Sequence, residues 1–577
     1  MTNKTFKLGY EELTACRRAN RSLYWAVAFF SVFVNLLMLT GPLYMMQVYD
    51  RVLGSGSEAT LVALSLLVLF LYGMMGLLDY VRGRVLARIG ARFQAQLDKR
   101  VFDAMVRRSA VAQDPVAQTG TADLEAIQRL MSSPVLGAAF DLPWTPVFLA
   151  GIALFHPWLG LLALGGGVLL VAVALLNQIF SRGPLQKAAL SSHRANLSSE
   201  EIRGEAEMIQ SMGMRGAAFQ RWQKIRKAAL KDTLTANDTG GGFTTLTKTL
   251  RLFLQSAMLG LGAYLALNGK VSPGAMIAGS VLMGRALAPI ELGLGQWPMV
   301  QRAIKGWHAL AELLTKVPVE AERMALPQPK SQLEVQALAV VPPGESRPQL
   351  RGVSFRVEPG QAIGVIGPSG SGKSTLAKAL TGAWRPAAGT VRLDGAALDQ
   401  YDPDVLGRHF GYLPQRVQLF EGTIAQNIAR LAEEPDAEKV VTAAKKAAAH
   451  EMIVNLPDGY DTRVSAGGGR LSGGQMQRVA LARALYDSPV IVILDEPNSN
   501  LDNEGSVALN HAIKALKSAG QSVLIMAHRP AAIQECDMLL VIDKGVQTAF
   551  GPKDKVLQDM VANHQSIRQT AGTGGVK

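Results

Sequence analysis

The chain has 577 residues, enough for two or more domains with full cores, and it is 48% apolar and 18% charged. Its formal charge of +13 fits the positive cytoplasmic loops of a membrane protein better than nucleic-acid binding, because the basic residues of the first half lie between apolar runs. Two cysteines, Cys16 and Cys536, exclude a disulfide framework and a cysteine metal site, and both are expected to be free thiols.

Residues 1–22 are polar, with Lys4, Lys7, Arg17, Arg18 and Arg21, and carry no cleavable secretory signal. Six membrane spans follow, near 23–46, 59–81, 135–155, 158–178, 247–268 and 274–297. Each approaches the roughly 20 residues that cross a bilayer core of about 30 Å. Lipid cannot satisfy stray backbone groups, so these runs are expected to be helices. The connections alternate short (47–58, 156–157, 269–273) and long (82–134, 179–246), and the long ones are basic. That pattern places the long loops and both termini in the cytoplasm. The long loops have helical spacing, so the spans are expected to continue as helices beyond the membrane, with turns near 118–123 and 212–216. Pro42, Pro143, Pro146 and Pro289 interrupt spans and can mark bends.

A cytoplasmic helix is expected after Trp297, running to about Lys316. A linker over 318–332 carries Pro318, Pro327 and Pro329. A soluble α/β domain is expected over 333–570, with a flexible tail over 571–577. The six-span domain then covers 23–317.

Within the soluble domain, Gly367, Pro368, Ser369, Gly370, Ser371, Gly372, Lys373, Ser374 and Thr375 fit GxxxxGK[ST], a phosphate-binding loop. The apolar strand 362–366 precedes it and a helix-forming run, 376–380, follows. The glycines let backbone N–H groups approach phosphate, Lys373 reaches the β- and γ-phosphates, and Ser374 should hold Mg²⁺. About 120 residues on, the apolar strand 490–494 ends in Asp495 and Glu496. Asp495 is expected to bind Mg²⁺ through water, and Glu496 to polarise the attacking water.

Between the two lies Leu471-Ser472-Gly473-Gly474-Gln475. LSGGQ before such a strand resembles the signature of ABC ATPases, and the resemblance spans 333–565. It implies an α-helical membrane domain of six spans joined to an α/β P-loop ABC ATPase domain. It implies that Gln415 touches Mg²⁺ and the membrane domain, that 499–502 with Asp502 is the D-loop, and that His528 contacts the γ-phosphate. In the family, Ser472, Gly473, Gly474 and Gln475 face the phosphate loop of another subunit, so ATP is shared and a homodimer is the simplest assembly. Two departures stand out. No aromatic residue occurs over 340–344, where adenine usually stacks. Ala466 also stands where exporters often carry Glu.

The membrane half, through 35–53, 141–146 and 285–291, resembles type I secretion permease-ATPases, closest to PrtD-type protein exporters. That resemblance implies export of an unfolded protein with a C-terminal signal across the Gram-negative inner membrane. It also implies a periplasmic adaptor and an outer-membrane channel of the TolC kind. The peptidase-like domain of some relatives is expected to be absent. Asp141, Arg285 and Glu291, charges within spans, are candidates for the cargo path or for internal ion pairs and snorkelling. A lipid or drug exporter is the alternative. A nucleotide-gated channel fits less well, because Lys373, Asp495, Glu496 and His528 are all present. A soluble DNA-repair ATPase is excluded by the spans.

Overall fold

The computed structural model describes residues 6–111, 114–319, 323, 326–465, 471–499, 503–527 and 533–559. Residues 466–469, 500–502, His528 and 571–577 lie outside them. The chain divides into two compact units at Pro318, apart from the short stretch Ser109–Gln113.

In the first unit, α1 (Lys7–Ala19), α2 (Arg21–Leu37), α3 (Thr40–Gln47), a π turn (Val48–Val52) and α4 (Leu53–Ser55) lead to α5 (Glu58–Val111). Next come α6 (Pro115–Met131), α7 (Pro134–Asp141), a 3₁₀ turn (Leu142–Trp144), α8 (Thr145–Phe155) and α9 (Pro157–Gly204). The last four are α10 (Ala206–Ser211), α11 (Arg215–Leu267), α12 (Pro273–Gly295) and α13 (Trp297–Lys316). Six stretches are long and apolar enough to cross a membrane: Arg21–Ser55, Glu58–Val111, Pro134–Phe155, Pro157–Gly204, Arg215–Leu267 and Pro273–Gly295. They expose large apolar side chains such as Leu66, Leu69 and Phe70, a surface that lipid, not water, accommodates.

At 54, 48 and 53 residues, α5, α9 and α11 are far longer than a bilayer core requires. Each runs about 70–80 Å at 1.5 Å per residue, so each continues past the lipid. The turn expected at 118–123 is instead helical. Asp114 Oδ1 accepts from the Val116 N–H at 3.1 Å and Pro115 takes the first helical position, so α6 begins earlier. Burial pushes the Asp114 carboxyl up, but the Val116 N–H, Arg108 and Lys316 outweigh it and hold it below its ordinary value. The second turn falls between α10 and α11, where expected.

Pro42 and Pro146 sit in first turns of α3 and α8, and Pro143 in the 3₁₀ turn, so these prolines mark helix junctions rather than bends inside helices. Pro289 lies inside α12, and Pro184 inside α9. The helices α9 and α11 form an antiparallel pair. Phe180 stacks on Phe243 with centroids 6.3 Å apart, and Ser191 Oγ donates to Asp232 Oδ2 at 2.6 Å. This register sets Pro184 level with Thr239, next to Gly240, Gly241 and Gly242, where an added Cβ would meet nothing within 4 Å. The polar N-terminus forms a helix against α13: the Gly9 N–H donates to Thr315 Oγ1 at 2.9 Å, and Glu12 pairs with Arg100 at 2.9 Å.

The second unit is built on β1 (Leu333–Val340), β2 (Leu350–Val357), β3 (Ala362–Ile366), β4 (Ala388–Leu393), β5 (Ala396–Ala397) and β6 (Phe410–Leu413). It continues with β7 (Gly422–Thr423), β8 (Arg463–Val464), β9 (Ile491–Asp495), β10 (Ser522–Ala527), β11 (Met538–Asp543) and β12 (Val546–Pro552). The main sheet runs β5-β4-β1-β2-β12-β11-β3-β10-β9-β6. Its β6, β9, β10, β3 and β11 are mutually parallel, and β1, β2, β4 and β5 are joined antiparallel. Strands β3, β9 and β10 are buried on both faces, between two apolar clusters, which is why they read as unbroken apolar runs. Helices α14 (Lys373–Leu380), α15 (Pro403–His409), α16 (Ile424–Ile428), α17 (Ala437–Lys446), α18 (His450–Val454), α19 (Gly473–Leu485) and α20 (Asn503–Ser518) pack around the sheet. After α16, the Arg430 guanidinium joins three segments: it donates to the carbonyls of Gly407 at 2.5 Å, Phe410 at 3.1 Å and Tyr486 at 3.4 Å.

Candidate active site

Strand β10 lies between β3 and β9, pairing Ala527 with Ile366 and Met526 with Asp495. The phosphate-loop sequence and the Asp495-Glu496 pair therefore leave the sheet side by side, at the carboxyl ends where parallel sheets bind ligands. Gly370 and Gly372 have φ of 77° and 105°, a left-handed backbone that glycine adopts without strain. The loop then turns into α14, whose N-terminal N–H groups form an anion site. Pro368, Ser369 and Gly370 are exposed, while Ser371, Gly372, Lys373 and Thr375 are buried. Lys373 Nζ donates to the carbonyls of Gly367 at 2.8 Å and Pro368 at 2.9 Å. Burial lowers the Lys373 pKa, against the pull of Glu496 and Asp495. Thr375 faces away: its Oγ1 donates to Gln349 Oε1 at 2.6 Å and anchors α14.

Asp495 is buried and raised above the ordinary carboxylate range, first by burial, with Glu496 adding to it and the Ser374 hydroxyl working against it. Its Oδ1 has no hydrogen-bond partner among the described residues. A buried carboxylate oxygen without a donor, beside a hydroxyl, is the oxygen-donor set a hard divalent cation takes, so Ser374 and Asp495 fit Mg²⁺. Glu496 stands at φ 51°, a strained position for a residue with a Cβ. Its N–H donates to Met526 O at 3.0 Å, which holds the strain, and its Oε2 accepts from Gln415 Nε2 at 3.0 Å.

The structure thus gathers Lys373, Ser374, Gln415, Asp495 and Glu496. Ser472, Gly473, Gly474 and Gln475 open α19 in a capping box: Ser472 Oγ accepts from Gln475 N at 3.3 Å, and Gln475 Oε1 accepts from Ser472 N at 2.9 Å. No described hydrogen bond ties these four to the phosphate loop. Sequence reasoning missed two neighbours. Tyr412 has its phenol pushed up to about 12 by burial and then by Asp495. Gln477 donates to the Pro497 carbonyl, joining α19 to the segment just after Glu496. Both sit within stretches already singled out, a few residues from Gln415 and Gln475.

In the first unit, Asp141 Oδ1 accepts from Asn35 Nδ2 and Arg82 Nη1, each at 2.7 Å, and Arg82 also pairs with Asp79 at 2.7 Å. Glu291 pairs with Arg251 at 2.8 Å. Arg285 borders a cavity of about 300 Å³ with Asp79, Arg82 and Asp141.

Six apolar spans joined to a phosphate-loop domain with a capped LSGGQ helix define the class of ATP-driven membrane transporters. The chain belongs to the ABC transporter family, and within it to the type I secretion ATP-binding proteins. The model of the ABC transporter matches residues 350–499, and that of the ABC transporter transmembrane region matches 24–289. The type I secretion system ATP-binding protein PrsD of Rhizobium meliloti (strain 1021) is 43% identical over 96% of both chains. The leukotoxin translocation ATP-binding protein LktB of Mannheimia haemolytica is 28% identical over 95% of this chain and 78% of its own length. A bacterial Atm1-family ABC exporter with ATP bound has the same fold, with a TM-score of 0.78 over 96% of this chain and 99% of its own, at 22% identity. The protein is an ATP-hydrolysing, multi-pass transporter of the inner membrane.

Proposed function

We propose that two copies of the chain drive export of an unfolded protein carrying a C-terminal signal across a Gram-negative inner membrane, as the motor of a type I secretion system. The observation that carries this reading is the meeting of Lys373, Asp495, Glu496 and Gln415 at the carboxyl ends of the parallel strands, in a chain 43% identical to a type I secretion protein. The names of that protein and of the leukotoxin translocation protein favour a polypeptide over a lipid or drug as cargo.

In this reading the ATPase domain (333–570), the 1–22 segment, the 318–332 linker, the 571–577 tail and both chain termini are cytoplasmic, and the spans of 23–317 lie in lipid. Residues 367–375 hold the phosphates, with Lys373 released from its loop carbonyls onto them. Ser374, Gln415 and Asp495 hold Mg²⁺, which when bound shields phosphate charge. Glu496 accepts a hydrogen bond from the attacking water, and His528 contacts the γ-phosphate. Ser472, Gly473, Gly474, Gln475 and Asp502 act on nucleotide bound to the other copy. A periplasmic adaptor and a TolC-like outer-membrane channel complete the path. No role is assigned to nucleic acid.

Reconstitution tests it. A secreted protein with a C-terminal signal should leave cells only when the chain, an adaptor and a TolC-like channel are all present. Export that persists without the adaptor, or ATP turnover stimulated only by lipids or hydrophobic drugs, would overturn it.

A further inference from the structure

Charges inside membrane spans are costly unless they are paired or face water. In this unit most are paired. Arg82 is held by Asp79 and Asp141, and Glu291 by Arg251. Asp50, near the other end of the spans, accepts from Ser272 Oγ at 2.6 Å and from the Gly274 N–H at 2.8 Å. Arg285 differs. It lies near the middle of α12, about 18 Å along the axis from Pro273. It has no ion-pair partner among the described residues, and it is exposed.

Arg285 borders a cavity and has no carboxylate partner among the described residues. The same lining holds Asp79, Arg82 and Asp141, two carboxylates and one guanidinium joined in ion pairs. The floor is apolar, with Met38, Leu86 and Leu292. A volume of about 300 Å³ admits one or two side chains of an extended chain but no folded element. Asn35, which could serve as a second polar contact, is already committed: its Nδ2 donates to Asp141 Oδ1 at 2.7 Å and to Ser31 O at 2.8 Å. Among the charged residues of the lining, Arg285 is the one without an ion-pair partner among the described residues.

We infer that this cavity is a contact site for acidic side chains of the transported polypeptide, with Arg285 as the residue that selects them. The inference rests on the protein-export reading. A guanidinium gives a carboxylate two parallel donors, and the apolar floor lowers the competition from water. Asp141 and Glu291 then keep the site in shape through their ion pairs and make no contact with cargo.

The test uses the full chain in lipid nanodiscs with a photo-crosslinking residue in place of Met38. Two 20-residue probes are compared, one with alternating Asp and Ser and one with Asn at each Asp. Wild type should crosslink the acidic probe on the order of fivefold more than the amide probe, and added salt should shrink the ratio. Arg285→Gln should bring the ratio to about one, and Arg285→Lys should keep most of it. Equal crosslinking of the two probes by wild type, or an undiminished ratio in Arg285→Gln, would overturn the assignment to Arg285. Failure of either probe to crosslink at position 38 would instead remove the polypeptide path, and with it the export reading.

Discussion

Gln415 donates a hydrogen bond to Glu496 at 3.0 Å, joining the loop after β6 to the acid that follows β9. The bond uses Gln415 Nε2 and so does not occupy Gln415 Oε1, the atom through which an amide would ligate a metal ion. Glu496 is also held at φ 51° by its N–H bond to Met526 O, which fixes the backbone from which its carboxylate extends.

Glu496→Gln keeps the size and the contact with Gln415 but removes the negative charge. ATP turnover by the purified protein should fall about 100-fold or more, while nucleotide binding, read by fluorescent ATP, is retained. Turnover above half of wild type would show that another group positions the water.

The Arg82–Asp141 pair is nearly buried and shares Asp141 with Asn35. Asp141→Leu alone leaves a buried guanidinium with only Asp79 as counter-ion, at a cost of about 3–5 kcal/mol. The double variant Arg82→Met with Asp141→Leu should recover most of that loss, read as thermal unfolding in detergent. A single variant as stable as wild type would mean that the pair contributes nothing.

Arg430 donates to five carbonyls, those of Gly407, Phe410, Arg483, Ala484 and Tyr486. Arg430→Met fills the space but leaves those acceptors without donors, and should destabilise the ATPase domain by about 2–3 kcal/mol. Arg430→Lys should rescue little, because an ammonium cannot span the fork. Chemical denaturation that follows the domain's own signal measures both.

Gly241→Ala should stabilise α11 by about 0.5–1 kcal/mol, since the added methyl group meets nothing and glycine is the weaker helix former. Slower backbone hydrogen exchange around residue 241 is the expected readout. Unchanged or faster exchange would mean that the methyl group adds nothing to the helix at this position.

The sequence made the nucleotide chemistry legible because that chemistry needs contiguous residues: nine positions for the loop, and two acids ending a doubly buried strand. Contacts between distant segments were not legible. Gln415 and Glu496 are 81 positions apart, and Arg82 and Asp141 are 59 apart. Only the packing of strands and helices brings them together. The misplaced turn has a local cause. Gly120 and its threonine neighbours resemble a loop, but Gly120 is there for packing: an added Cβ would stand 2.8 Å from Met105 and 3.2 Å from Leu313. The signal that sets the helix start is Asp114-Pro115, just before it.

The nearness of Pro184 in α9 to the level of Gly240, Gly241 and Gly242 in α11 has a mechanical consequence. A rod deforms where it is softest. One strut here lacks a rung of its hydrogen-bond ladder, and beside it the other has three residues with no side chains to brace it. Strain applied at either end of the pair therefore collects at one height, and the lengths above and below move as stiff beams.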